Sequence, residues 1–155
     1  MSLVAYGNGT ATAADPIENN GFWPAIDPAA FRDQHRIDTT ITQPRVLTAL
    51  RVAMASLNRQ LADWQADQVD AGHAVVSNVP IEAWQMIGHH QLLYVRAVYS
   101  EAHAQLLERY RDYSATGDGD ERGEAKNDAA EDYRRDARWA VAEIVGRNHT
   151  TVELI

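Results

Sequence analysis

The sequence predicts an all-α fold, a helical bundle of three long helices and one short helix with extended N- and C-terminal arms. Two observations predict it. Apolar residues recur at steps of three and four along three long stretches, which gives each helix one face to bury. Prolines and glycines stand where helices start and stop, with Pro28 and Pro44 at starts and Gly72 and Gly146 at ends. At 155 residues and 45% hydrophobic content, the chain can bury a core of its own.

Residues 1–20 are rich in Ala, Thr, Asn and Gly without a period and are expected to form a flexible leader. The helical domain is expected over 21–147 and a separate tail over 148–155. Phe22 and Trp23 precede Pro24, so the backbone there is extended and can clip two aromatics onto the body. Asp27-Pro28 is an acidic cap followed by proline, which predicts a short helix to about Arg36 with Phe31 inward.

From Gln43-Pro44, the residues Leu47, Leu50, Met54, Leu57, Leu61 and Trp64 predict one long helix to about Ala71. Its seam suits the central helix of a bundle. Residues 74–80 read as an apolar connection. The next helix begins at Ile81 or only after Gly88, and its apolar face comprises Leu92, Leu93, Val95, Val98, Tyr99, Ala102, Leu106, Tyr110 and Tyr113. Residues 116–123 read as a solvated loop. The last helix, 125–146, carries the stripe Ala129, Tyr133, Ala137, Ala140 and Ile144, widened by Trp139 and Val141. Glu131 is placed to reach Arg135 one turn on. The strand-like run Thr150–Ile155 puts Val152 and Leu154 on one face, and with Ile155 they are expected to form a docking segment.

The totals exclude several classes. A net charge of −8 opposes general nucleic-acid binding and adhesion to anionic membranes. The absence of cysteine excludes disulfides, thiolate catalysis and cysteine-rich zinc sites. The first residues lack a basic region and an apolar run, so no secretory signal is expected. Asp118, Asp120 and Gly123 fit three EF-hand positions, but Arg122 and Ala129 stand where ligands belong, so a solvated turn is the better reading. His35, His73, His89, His90, His103 and His149 include no i, i+4 pair and read as surface or half-buried histidines. Catalytic serine patterns are absent from the sequence. Arg109, Tyr110, Arg111 and Tyr113 interleave bases with aromatics, but helical spacing makes the tyrosines a buried face. Trp23, Trp64, Trp84 and Trp139 read as core anchors. No catalytic residue, cofactor or metal is expected.

One pattern resists a purely structural account. In the helix from Gln43, the bases Arg45, Arg51 and Arg59 come early and the acids Asp63, Asp67 and Asp70 come late. The helix dipole prefers the reverse, by ~0.3–1 kcal/mol per well-placed charge. Such a helix can set its basic half against the acidic half of a neighbouring copy. Arg51, Arg59, Asp63, Asp67 and Asp70 are therefore candidate contacts between copies, with Val152, Leu154 and Ile155 as candidate partner contacts.

Three segments carry a resemblance: Phe22-Trp23-Pro24-Ala25-Ile26-Asp27-Pro28, Leu106-Leu107-Glu108-Arg109-Tyr110-Arg111, and Arg134-Arg135-Asp136-Ala137-Arg138-Trp139-Ala140-Val141-Ala142. In content, order and spacing they resemble the GpL family, the phage head completion proteins of contractile-tailed temperate phages. Arg134 departs from the pattern, since the family usually has an aromatic there, and residues 73–90 match poorly. The resemblance implies a structural head–tail connector that docks as a ring on the portal vertex after DNA packaging, retains the genome and offers the tail its attachment surface. Its implied partners are the portal protein, neighbouring copies in a homo-oligomeric ring and tail-side completion proteins. DNA would pass through the channel without sequence-specific binding, and no membrane is involved. The implied locations are the host bacterial cytoplasm during assembly and the head–tail interface of the virion. The rival reading, a cytosolic helical small-molecule-binding or regulatory protein, needs convergent polar groups on buried faces, and the seam from Leu47 to Trp64 supplies almost none.

Overall fold

A computed structural model describes residues 14–109 and 119–147, with the side chains of the last helix described from Ala125. It is all-α: α1 (Pro28–His35), α2 (Gln43–Gln60), α3 (Ala62–Asp70), a 3-10 turn (Val76–Asn78), α4 (His89–Arg109) and α5 (Gly119–Ile144). Among the described residues the only β pairing is the bridge between Ile17 and Ile26.

α4 is the spine, buried through Leu93, Tyr94, Ala97, Val98, Tyr99, Ala102 and Leu106. α2 and α5 both run antiparallel to it. Asn58 meets Tyr94 while Arg45 lies beside Leu106, and His89 meets Glu143 while Arg96 faces Asp136. The α5 stripe holds at Ala137, Ala140 and Ile144. Small residues at that contact let the two helix axes approach closely.

The clip ahead of α1 is built as the sequence implies. Phe22 and Trp23 are buried, and Trp23 stacks between Tyr94 (4.5 Å) and Trp64 (5.7 Å). The Asn20 side chain accepts from the amides of Phe22 and Trp23, a local turn that aims both rings inward. The packed body also takes in residues ahead of Gly21. Asn19 donates to the Tyr94 hydroxyl (2.8 Å), Tyr94 donates to Asn58 Oδ1 (2.6 Å), and Asn58 donates back to Asn19 Oδ1 (2.8 Å). This closed triangle satisfies polar groups against the core and pins the arm to α2 and α4.

Helix ends follow the expected chemistry. Asp27 caps α1 by accepting from the amides of Ala29 (2.8 Å) and Ala30 (3.3 Å). Gly146 takes φ +71°, with Arg147 N–H bonded to Ala142 O (2.8 Å), which ends α5 where the sequence places the stop. α1 ends the same way with a residue poorly suited to it, since Arg36 sits at φ 51°.

Four expectations need correction. The helix from Gln43 is broken at Leu61, where φ −99° and ψ 6° separate α2 from α3. The break keeps Leu61 in the core and lets Trp64 lie against Trp23 and His90. α5 begins at Gly119, so 119–123 are helical rather than loop; the Glu-, Ala- and Lys-rich run that follows outweighs two glycines. Leu92 is exposed, because α4 turns its neighbour Leu93 inward. Arg135 pairs with Asp132 (3.0 Å), and Glu131 pairs with Arg134 instead (3.2 Å). Tyr110, Tyr113 and the tail from Asn148 lie outside the described residues.

Candidate assembly surfaces

The predicted contact residues Arg51, Arg59, Asp63, Asp67 and Asp70 all lie on exposed faces, the bases on α2 and the acids on α3. The break at Leu61 relieves part of the dipole conflict, placing Arg59 in the last turn of α2 and Asp63 in the first turn of α3. Asp67 and Asp70 still crowd the C-terminal end of α3, which has no base in its last turn. Val152, Leu154 and Ile155 lie outside the described residues.

Two surfaces emerge that the residue pattern alone did not single out. The first is apolar. Between the 3-10 turn and α4, Trp84 is 69% exposed, Met86 68% and Ile87 97%, and Ile81 and Leu92 flank them in the open. This corrects the reading of Trp84 as a core anchor. The segment is nonetheless held in shape. Glu82 N–H donates to Gln85 Oε1 (2.8 Å), Gln85 N–H to Glu82 O (3.0 Å), and His89 N–H to Met86 O (3.0 Å). Gly88 turns the chain into α4 at φ +82°, which a side chain would resist. The Trp84 ring meets His89, whose Nε2 lies 2.9 Å from Glu143 at the end of α5. A run of five large apolar side chains held out to solvent exceeds the scattered exposure normal for a monomer.

The second surface is a groove of ≈ 670 Å³ between the α1–α2 connection, α4 and α5. Ile37, Ile41, Leu106 and Leu107 supply its apolar lining; Arg36, Arg45 and Lys126 supply cations. Asp38 also lines it, with its carboxylate accepting from Thr40 N–H (2.7 Å), a bond that lowers its pKa. A smaller groove alongside adds Arg109.

Beneath the larger groove lies a packed histidine pair. His35 and His103 meet Nδ1 to Nδ1 at 2.9 Å, so one ring donates and the other accepts as the opposite tautomer. Tyr133 covers both. Burial lowers both pKa values, that of His103 to about 4 with help from its neighbour, while Asp136 pulls His35 the other way. His90 is buried, where a surface or half-buried histidine was expected, and burial lowers its pKa too. Among the described residues no three ligating side chains are grouped to hold a metal. No helix of the described residues is long and apolar enough to cross a membrane.

Comparison with known families is decisive. Residues 17–155 match the family model described as phage head completion protein (GPL). The chain belongs to this family. Among GpL-family relatives, the head completion/stabilization protein of Escherichia phage P2 is 32% identical over 155 residues, covering 96% of this chain and 92% of that protein. No solved structure matches.

The described residues of the three GpL-like segments all lie on or against α4. The first forms the clip and the α1 cap, and Tyr99 of α4 donates to Asp27 O (2.9 Å) from below. The second and third are joined by Arg134, which donates to both carboxylate oxygens of Glu108. That paired carboxylate raises the Arg134 pKa further. Arg134 thus cross-links α4 and α5 by charge. Trp139, in the most specific segment, is 42% exposed with Arg135 over its ring at 5.1 Å, which corrects its assignment to the core.

Proposed function

We propose that this protein is a structural head–tail connector. In this reading it docks on the portal vertex after DNA packaging, retains the genome and presents the surface to which the tail attaches. The observation that carries the reading is the family match across residues 17–155, supported by the P2 relative whose name is head completion/stabilization protein. Its partners are the portal protein, neighbouring copies in a ring and tail-side completion proteins. It works in the host bacterial cytoplasm during assembly and at the head–tail interface of the virion, with no chemistry of its own. The net charge of −8 suits a channel through which DNA slides, since like charge opposes phosphate contacts.

The test is deletion from a phage or prophage that encodes the protein, with complementation in trans. The expected result is packaged heads that lose DNA and carry no tails, restored to infectious particles by the wild-type chain. Normal tailed particles without the protein would refute the role.

A further inference from the structure

The two surfaces described above lie at opposite ends of one helix. The apolar segment enters α4 at His89, and the groove sits beside Leu106 and Leu107 near its other end. Seventeen residues of helix put them about 26 Å apart at 1.5 Å per residue. The segment is braced in place, so it cannot fill the groove of its own chain.

Charge follows the same axis. α3 leaves the bundle beside His90, so Asp67 and Asp70 stand at the end that carries Trp84, Met86 and Ile87. That end also carries Glu82. The opposite end holds Arg36, Arg45, Arg109 and Lys126 around a groove with an apolar lining. Arg59, in the last turn of α2, lies toward the first end, and Asp38 lines the groove at the second, so acids outnumber bases at the end with the projecting apolar segment and bases outnumber acids at the end with the apolar recess.

We propose that the acidic, apolar end of one copy docks into the basic groove of the next, with Trp84, Met86 and Ile87 entering the recess. The occupant is a second copy, because charge and shape complement each other between two ends of one chain that cannot meet within it. Two different patches meeting head to tail make a heterologous contact, the kind that closes rings when the rotation per step allows. Aromatic and large apolar side chains entering a pocket are the usual centre of such a contact, and the surrounding charges set orientation and rate of encounter. The inference rests on the connector reading for its setting and extends it to the residues that join neighbours.

The chain has no cysteine, so an introduced pair reports without background. Ile87→Cys and Thr40→Cys, both at exposed positions with Thr40 on the groove, are made singly and together. Each is supplied to assembling phage that lacks the wild-type chain, and the particles are treated with a short bismaleimide. The double variant is expected to give a ladder of multimers, a mixture of the single variants to give dimers, and each single variant alone to stay monomeric. A dimer from Ile87→Cys alone would overturn the proposal in favour of a two-fold contact. A product joining Ile87→Cys to another particle protein, with no ladder, would assign the segment to the portal or the tail. Incorporation of the double variant without any ladder would refute the contact and leave the connector role standing. Failure of the wild-type chain to enter particles would instead refute the connector role. The same reagent on concentrated purified double variant then decides the contact, a ladder upholding it and monomers overturning it.

Discussion

Trp23 and Trp139 show how little residue type says about placement. Trp23 lies in a stack of three rings, although its indole N–H finds no hydrogen-bond partner. Trp23→Ala should therefore cost ~3–5 kcal/mol as a core truncation. Trp139→Ala should cost less, ~1–2 kcal/mol, because the residue is 42% exposed and its ring has only part of its apolar surface to lose along with the contact to Arg135. Thermal unfolding of the two variants side by side checks this, and a large loss at Trp139 would return it to the core. The sequence reading placed Trp139 as widening the apolar stripe of the last helix. Helical geometry excludes it, since residue 139 points about 100° away from Ala140 and about 200° from Ala137 at 100° per residue. Arg36 makes the opposite kind of prediction. Its left-handed conformation strains any side chain, so Arg36→Gly should stabilise by ~1 kcal/mol and raise Tm by ~2–4 °C. An unchanged or lower Tm would mean the arginine offsets its strain through contacts in the groove.

At the scale of elements, the legible features were those set by local chemistry. Asp27-Pro28, Gln43-Pro44 and Gly146 marked helix ends because caps and stops act within a few residues. The break at Leu61 and the meeting of His35 with His103 were not legible, because partners on other elements create them. Sixty-eight positions separate the two histidines. Their burial has a consequence for acid stability. Both rings are harder to protonate in the folded chain than in the unfolded one, whose histidines titrate near pH 6.5. Between about pH 6.5 and 4 the unfolded state therefore binds protons that the folded state refuses. Stability is full above that window and falls as the pH drops through it. Melting temperature measured from pH 8 to 4 should show this decline, and His103→Phe, which keeps the stack on Tyr133, should make it shallower. An identical acid limb in the variant would show that other groups govern it.

Across the whole molecule, the sequence revealed polarity along one stretch, and the fold turned it into polarity between two ends. The exposed segment around Ile87 stayed hidden because a short apolar run reads as buried until the fold leaves it uncovered. Reversing Asp63, Asp67 and Asp70 to Lys should leave the fold intact, since exposed substitutions usually change stability by within about 0.5 kcal/mol. The same change should impair incorporation into heads, and adding Arg36→Glu with Lys126→Glu should restore part of it. Calorimetry checks the first expectation and particle composition the second. Normal incorporation of the triple variant would remove the acidic end from assembly.

The triangle of Asn19, Tyr94 and Asn58 also sets an order of events. Residues 17–24 leave the ribosome before any of the helices they pack on, and their partners Asn58, Trp64, Val76 and Tyr94 span the next seventy positions. The arm can settle only after α2 and α4 have paired, so a stretch synthesised before all the helices it packs on is among the last to be placed. Closing contacts over such sequence separations is slow compared with helix formation. In pulsed hydrogen exchange during refolding, the amides of Ile17 and Ile26, bonded to each other in the native state, should gain protection after those of α2 and α4. A chain stalled before Tyr94 has emerged would present Phe22 and Trp23 uncovered, so the interval before α4 appears is when this protein is most exposed to aggregation.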